Sequence, residues 1–224
     1  ILVTAFPCET ALACTWDTDI LYEMGKAGGK EFRENNLGVW LAPGMNIHRS
    51  PLCGRNYEYY SEDPLVSGMM AAAMVKGVQS QKVAGTIKHF ACNNKETNRH
   101  HSDSRVSEKA LREIYLKGFE ICMKQVEPWI IMTAYNLING CHTSADHELL
   151  EGIVRGEWGY KGMTSTDWNI NAPHIDEVRA GNDIKMPKGE PEELKKALEE
   201  GYIVRSDLEA CAKRIFTMIL KLGS

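Results

Sequence analysis

Gly162-Met163-Thr164-Ser165-Thr166-Asp167-Trp168 is a short run rich in β-formers that ends in a carboxylate and an indole. Met163 to Thr166 predicts a buried strand, because Thr favours extended backbone and a turn signal, Tyr160 to Gly162, precedes the run. An acidic side chain at the C-terminal end of a parallel strand is where α/β barrels place their chemistry. Asp is also a preferred helix N-cap, so Asp167 alone leaves capping and catalysis equally open. The rest of the chain has to separate them.

Working outward, the same strand-then-polar-residue pattern recurs. Leu2 to Ala5 and Val39 to Ala42 predict strands stopped by Phe6-Pro7 and Pro43-Gly44, and Ala84 to Phe90 predicts a third that ends on Lys88-His89. Trp129 to Tyr135, Met163 to Thr166 and Asp183 to Met186 complete six. Helices are predicted between them: one opened by Asp17, one over Pro64 to Gln81, one capped by Ser107, one opened by Asp146, then Pro191 to Glu200 and Ser206 to Leu222. Alternating strands and helices argue for a parallel sheet. Six strands, each followed by a loop, predict an α/β fold of the (β/α)8 TIM type, incomplete at its N-terminal side, as one domain over residues 1–224. Two long polar loops, one after Pro43-Gly44 and one over Asn93 to Val106, are functional candidates, since long loops are uncommon in compact domains. Gly25, Gly28, Gly29 and Lys30 give a weak phosphate-loop pattern inside a helical stretch, with Glu31 where Ser or Thr is needed.

Composition narrows the function. The 224 residues are 43% hydrophobic and carry a formal net charge of −4, so no basic excess points to nucleic acid. No apolar run approaches a membrane span. Seven scattered cysteines without a Cys-x-x-Cys pair suggest reduced thiols and a cytoplasmic location. The sequence starts at Ile1 and not Met, which leaves an upstream signal peptide open. The seven histidines show no ligand spacing, so no metal and no cofactor are expected.

The polar residues that need explaining all follow strands: Arg55, Lys88 and His89, Tyr135, Asp167 and Trp168. In a barrel these ends converge on one mouth. Cations, an imidazole and a phenol can bind several hydroxyls, and an indole can support the face of a sugar ring. Cations near a carboxylate stabilise its charge, and a glycosidase nucleophile must carry one. Each residue also has a plainer role: Arg55 as partner of Glu58 or Glu62, Lys88-His89 as a solvated strand end, Tyr135 as an anchor at the core edge.

The longer text resembles glycoside hydrolase family 3. Pro51-Leu52-Cys53-Gly54-Arg55-Asn56-Tyr57-Glu58-Tyr59-Tyr60-Ser61-Glu62-Asp63-Pro64 is similar to its signature loop. Lys88-His89-Phe90 with Glu96-Thr97-Asn98-Arg99, then Met132-Thr133-Ala134-Tyr135-Asn136, then Thr166-Asp167-Trp168, then Ala180-Gly181-Asn182-Asp183 match further motifs in order. The look is closest to the β-glucosidases. That resemblance implies a retaining, exo-acting β-glycosidase acting on β-linked glucosides or oligosaccharides. Asp167 would be the nucleophile, Arg55, Lys88 and His89 would bind sugar hydroxyls, Tyr135 would sit beside the nucleophile, and Met132 and Trp168 would pack on the sugar. It also implies a general acid/base on a second, α/β sandwich domain outside residues 1–224, and a barrel segment before Ile1. Such a piece, with open strand edges, is expected to be poorly soluble or a homo-oligomer. Two alternatives remain. One is a β-N-acetylglucosaminidase of the same family, using His100 or His101 with Asp103, although Ala91-Cys92-Asn93-Asn94 stands where that branch has Pro-Gly-His-Gly. The other is a sugar-binding barrel fragment that is catalytically incomplete.

Overall fold

The computed structural model describes residues 3–223. In chain order the regular elements are α1 (Glu9–Ala13), α2 (Thr18–Glu34), β1 (Val39–Trp40), α3 (Pro64–Ser80), β2 (Ala84–Phe90), β3 (Asp103–Ser104), α4 (Glu108–Ala110), α5 (Lys117–Val126), β4 (Ile130–Thr133), β5 (Leu137–Ile138) and β6 (Cys141–His142). They continue with β7 (Met163–Trp168), α6 (His174–Arg179), β8 (Ile184–Met186), α7 (Pro191–Glu199) and α8 (Arg205–Gly223). A 3-10 turn covers Asn56–Glu58, and π-helical turns cover Leu111–Tyr115 and Glu148–Glu157.

Five strands form one parallel sheet in the order β1-β2-β4-β7-β8. The sheet curls into a half-barrel with helices outside. The expected incomplete barrel of the (β/α)8 type is thus, among the described residues, a curled five-stranded half-barrel. The predicted first strand is also absent. Leu2 lies outside the described residues, and Val3 to Ala5 is irregular. Its backbone is claimed by a helix instead: Thr4 N donates to Glu31 Oε2 at 2.9 Å, and the Thr4 hydroxyl bonds the other oxygen.

The helices start where capping residues predict. Asp17 accepts from the amides of Asp19 and Ile20, Asp63 from Leu65, and Ser107 from Ala110. α3 is apolar nearly all round and correspondingly buried, with Met70, Met74, Val75 and Val78 in the core. It crosses α2 at a glycine seam. A Cβ on Gly25 would meet the Met74 carbonyl oxygen at 2.3 Å, and one on Gly77 the Tyr22 carbonyl oxygen at 2.1 Å. The weak phosphate-loop glycines are thus packing glycines, Gly25 and Gly29 against α3 and Gly28 against the Trp40 ring. The π turn at Leu111–Tyr115 shifts the helical phase, so Leu111 and Leu116 are buried while Ile114, three residues after Leu111, is 40% exposed.

The main core lies between α2, α3, α5 and the sheet, with Phe90 edge-on to Phe119 at 5.0 Å. A second cluster plugs the N-terminal end of the half-barrel. It joins Val39, Ala84, Ile130, Met163 and Ile184, the first residues of the five strands, to Ile215, Met218 and Leu222 of α8. Below them Asp183, with a fully buried side chain, accepts from Thr164 N at 2.8 Å, Arg214 Nε at 2.7 Å and Arg155 at 3.2 Å. Packing and ion pairing close this end, so the polar loops at the other end are left for chemistry.

Candidate active site

At the C-terminal end of the sheet a pocket of about 330 Å³ is lined by Leu41, Arg55, Lys88, His89, Arg99, Met132, Tyr135, Asp167 and Trp168. All seven residues singled out in the sequence are there: six lie in strands or just after them, and Arg55 is brought in by the long loop after β1. Leu41 and Arg99 are additions. Leu41 follows β1 directly. Arg99 comes from the loop after β2, and its guanidinium lies 4.2 Å from the centre of the Tyr135 ring. No local signal places Arg99, since its neighbour is 36 positions away in sequence.

Asp167 is the penultimate residue of β7 and is 7% exposed. Trp168 N donates to its Oδ1 at 2.7 Å, which fixes the carboxylate plane and leaves Oδ2 toward the pocket. His89 Nε2 lies 3.5 Å from Oδ2. His89 is not the cationic half of an ion pair: burial first, then Arg55, Lys88 and Arg99, hold it well below its usual pKa. Its backbone is clamped by Asn46, which accepts from His89 N at 2.8 Å and donates to His89 O at 2.9 Å. Burial, the charge of Asp167 and a hydrogen bond to it push the Tyr135 phenol up to about 12. The Tyr135 proton is therefore firmly held and available to the carboxylate.

Lys88 and His89 both line the pocket, where strict strand alternation puts one of the two at the rim. The ladder between β2 and β4 is irregular between Ile87 and Phe90, and alternation does not carry through it. Arg55 and Lys88 stabilise a different carboxylate from the one expected. Arg55 donates to both oxygens of Glu58 at 2.7 and 2.8 Å, and Lys88 Nζ lies 2.7 Å from Glu58 Oε1. Burial works against the charge on Glu58, but Lys88 and then Arg55 outweigh it and hold this carboxyl below its ordinary range. Arg55 is thus both a partner of Glu58 and a pocket residue. Glu58 was legible as a partner of Arg55 but not as the brace shared with Lys88.

Among the described residues Asp167 is the one carboxylate lining the pocket. Asp103 engages Arg105 Nε at 2.7 Å and Gly140 N at 3.0 Å, and His100 packs on the Tyr135 ring at 4.3 Å. The His–Asp pair needed by the N-acetylglucosaminidase alternative is not formed by these contacts.

The profile of the "Glycosyl hydrolase family 3 N terminal domain" matches residues 2–218. Beta-glucosidase A of Butyrivibrio fibrisolvens is 56% identical over 209 residues, which are 93% of this chain and 25% of that protein. An exo-alpha-(1->6)-L-arabinopyranosidase of Bifidobacterium longum is 38% identical over 219 residues, 97% of this chain and 29% of that protein. The solved structure of beta-glucosidase 3B from Thermotoga neapolitana in complex with glucose superposes with a TM-score of 0.95 at 49% identity, over 97% of this chain and 32% of that one. This chain therefore spans between a quarter and a third of each of these three proteins. With the profile covering nearly every residue and the half-barrel superposing throughout, the chain belongs to glycosyl hydrolase family 3.

Proposed function

We propose that this chain carries the sugar-binding and nucleophilic half of a retaining, exo-acting β-glycosidase of the β-glucosidase type. The observation that supports it most is the pocket itself: one carboxylate, Asp167, facing a ring of donors and an indole. Asp167 Oδ2 attacks the anomeric carbon as the bond to the leaving oxygen breaks, forming a glycosyl ester. Lys88, Arg55 and the His89 imidazole donate to ring hydroxyls, Tyr135 holds the carboxylate, and Trp168 with Met132 packs on the sugar. Hydrolysis of the ester by water returns Asp167 and retains configuration. The leaving oxygen needs a proton, and retaining enzymes supply it from a second carboxyl about 5–5.5 Å from the first. Because the pocket offers one carboxylate here, the acid/base is assigned to polypeptide outside residues 1–224. A β-glucoside is favoured as substrate by the glucosidase relatives and the glucose complex. The arabinopyranosidase relative is named for a different sugar, so the sugar itself is decided by the trapping experiment and its variants.

The test is trapping. 2,4-Dinitrophenyl 2-deoxy-2-fluoro-β-D-glucoside has a leaving group that needs little proton assistance. It should release one equivalent of phenolate and leave its sugar on the peptide containing Asp167, read by mass spectrometry. Asp167→Asn should abolish the label and lower turnover of the active enzyme by several orders of magnitude. Asp167→Gly should recover part of that turnover with azide. A label on Glu58 or Asp183, or an Asp167→Asn variant that keeps most of its activity, would reduce Asp167 to a structural carboxylate.

A further inference from the structure

His89 sits inside a run of polar contacts that starts at Glu96 and reaches Asp167. Arg99 Nη1 donates to Glu96 Oε2 at 3.2 Å, and Asn93 Nδ2 donates to Glu96 Oε1 at 3.2 Å. The same Asn93 nitrogen donates to the Tyr59 hydroxyl at 3.0 Å. That hydroxyl lies 3.0 Å from His89 Nδ1, and His89 Nε2 lies 3.5 Å from Asp167 Oδ2. Tyr59, His89 and Asn93 are 0%, 1% and 1% exposed, so bulk water does not compete for these groups.

Each link has one consistent direction. A carboxylate accepts and does not donate, so the Asn93 group facing Glu96 is its amino group. Asn93 Oδ1 is buried without a partner, and the amide nevertheless keeps this orientation because turning it would set oxygen against oxygen at Glu96. With one Asn93 N–H on Glu96 and the other on Tyr59, the phenol oxygen is an acceptor and its own proton is free for His89. Burial pushes the Tyr59 phenol far above its ordinary range, so it remains an O–H donor. His89 is neutral for the reasons given above. A neutral imidazole that accepts at Nδ1 carries its proton on Nε2, and Nε2 is the nitrogen that faces Asp167.

We propose that Tyr59 and Asn93 are positioning residues that hold His89 as its Nε2–H tautomer, so that it acts in the pocket as a hydrogen-bond donor and never as a base. The tautomer assignment stands on the contacts of Tyr59 and Asn93 in this structure alone. The role toward a sugar hydroxyl rests on the glycosidase reading of the site. Glu58 and Tyr59 then serve one end from adjacent positions: Glu58 orients the donors of Arg55 and Lys88, and Tyr59 orients that of His89.

The inference is tested by the ring-nitrogen NMR of the chain labelled with ¹⁵N-histidine at pH 7, with His89 assigned through its loss in His89→Gln. The expected wild-type spectrum shows a protonated Nε2 and a bare Nδ1. Tyr59→Phe removes the donor to Nδ1, and Glu96→Gln lets the Asn93 amide turn. Each should move the two nitrogen shifts toward each other as the tautomers mix. A proton on Nδ1 or on both nitrogens in the wild type overturns the proposal, as does a Tyr59→Phe spectrum that matches the wild type. Should Tyr59→Phe not fold, the wild-type spectrum and Glu96→Gln still decide. D-Glucose binding, read from tryptophan fluorescence, should weaken about tenfold in Tyr59→Phe. Failure of the wild type to bind glucose at all would count against the glycosidase reading, while the tautomer spectrum would still decide the inference.

Discussion

Glu58 accepts from two cations at the edge of the pocket, and its side chain is 15% exposed against 19% for Arg55 and 14% for Lys88. Two positive groups that both need to point at a substrate repel each other unless a carboxylate lies between them. Glu58→Gln keeps the shape and removes the charge. Hydrogen bonds to charged groups contribute roughly 1.5–3 kcal/mol, so stability in urea should fall by about 2 kcal/mol. D-Glucose affinity should fall tenfold or more, because Arg55 and Lys88 lose their common orientation. Glu157→Gln, which breaks the exposed pair with Arg112, should cost far less than Glu58→Gln because solvent screens it, and should leave glucose binding unchanged. Equal losses in the two variants would show that Glu58 acts as ordinary surface charge. At this scale the site was largely legible in the sequence. Asp167, Lys88, His89, Met132 and Trp168 belong to strands or their ends, and the chain's own order places them. Arg99 and Glu58 were harder, because their roles depend on loops meeting across the mouth: Arg99 on Tyr135, Glu58 on Lys88.

Secondary structure shows the same division. β2 matches its predicted span from Ala84 to Phe90, and α2, α3 and α8 begin or end within two residues of prediction, since caps and periodicity are local. The β3-β5-β6 sheet was not foreseen: Asn139 and Gly140 adopt positive φ between β5 and β6, but two-residue strands carry no period to read. The glycine seam was visible as composition and opaque as purpose, because only the partner helix reveals it. In a helix interior Gly→Ala ordinarily gains up to about 1 kcal/mol. At Gly77 and Gly25 the new methyl would meet backbone of the facing helix, which cannot rotate away, so Gly77→Ala and Gly25→Ala should each destabilise by about 1–3 kcal/mol. A stabilised Gly77→Ala in chemical denaturation would mean that α2 and α3 are not held this close. The first helix carries a second test. Glu9 opens α1, and burial, with the charge of Glu58 adding to it, raises its carboxyl from 4.5 to about 7. The folded state thus holds this proton more tightly than the unfolded state, and the associated stability is complete below about pH 4.5 and lost as pH rises through about 7. Glu9→Gln should remove that part of the decline, so the variant should gain on the wild type between pH 5 and pH 8 in urea midpoint. Parallel pH profiles for the two proteins would place Glu9 in water.

For the whole molecule the decisive feature is an unclosed sheet. β1 and β8 are its two edges, and α8 plugs the N-terminal end with one face while showing the other to solvent. Phe216, Ile219 and Leu220 on that outer face are 64%, 51% and 73% exposed, with Tyr202 and Val204 just before the helix at 64% and 55%. Single exposed apolar residues are ordinary, but Phe216, Ile219 and Leu220 at i, i+3 and i+4 share one helix face and form the kind of apolar patch that associates. Sheet edges add unpaired backbone donors and acceptors, which template further pairing. The helix predicted over Ser206 to Leu222 is amphipathic, with Cys211, Ile215, Met218 and Leu222 on its inner side, while Ile219 faces outward because the plug is narrower than the apolar stripe. The 224-residue chain on its own should therefore self-associate. Sedimentation velocity should show the mean mass rising with concentration across the micromolar range. Replacing Phe216 and Leu220 together by Lys should shift that rise to higher concentration, since both side chains point to solvent and their loss leaves the Ile215, Met218 and Leu222 plug intact. The double variant should also keep its urea midpoint within about 0.5 kcal/mol, as surface changes away from packed features do. A wild-type chain that sediments as one monomeric species throughout that range would show that the edges and the α8 face are adequately blunted by what the half-barrel already contains.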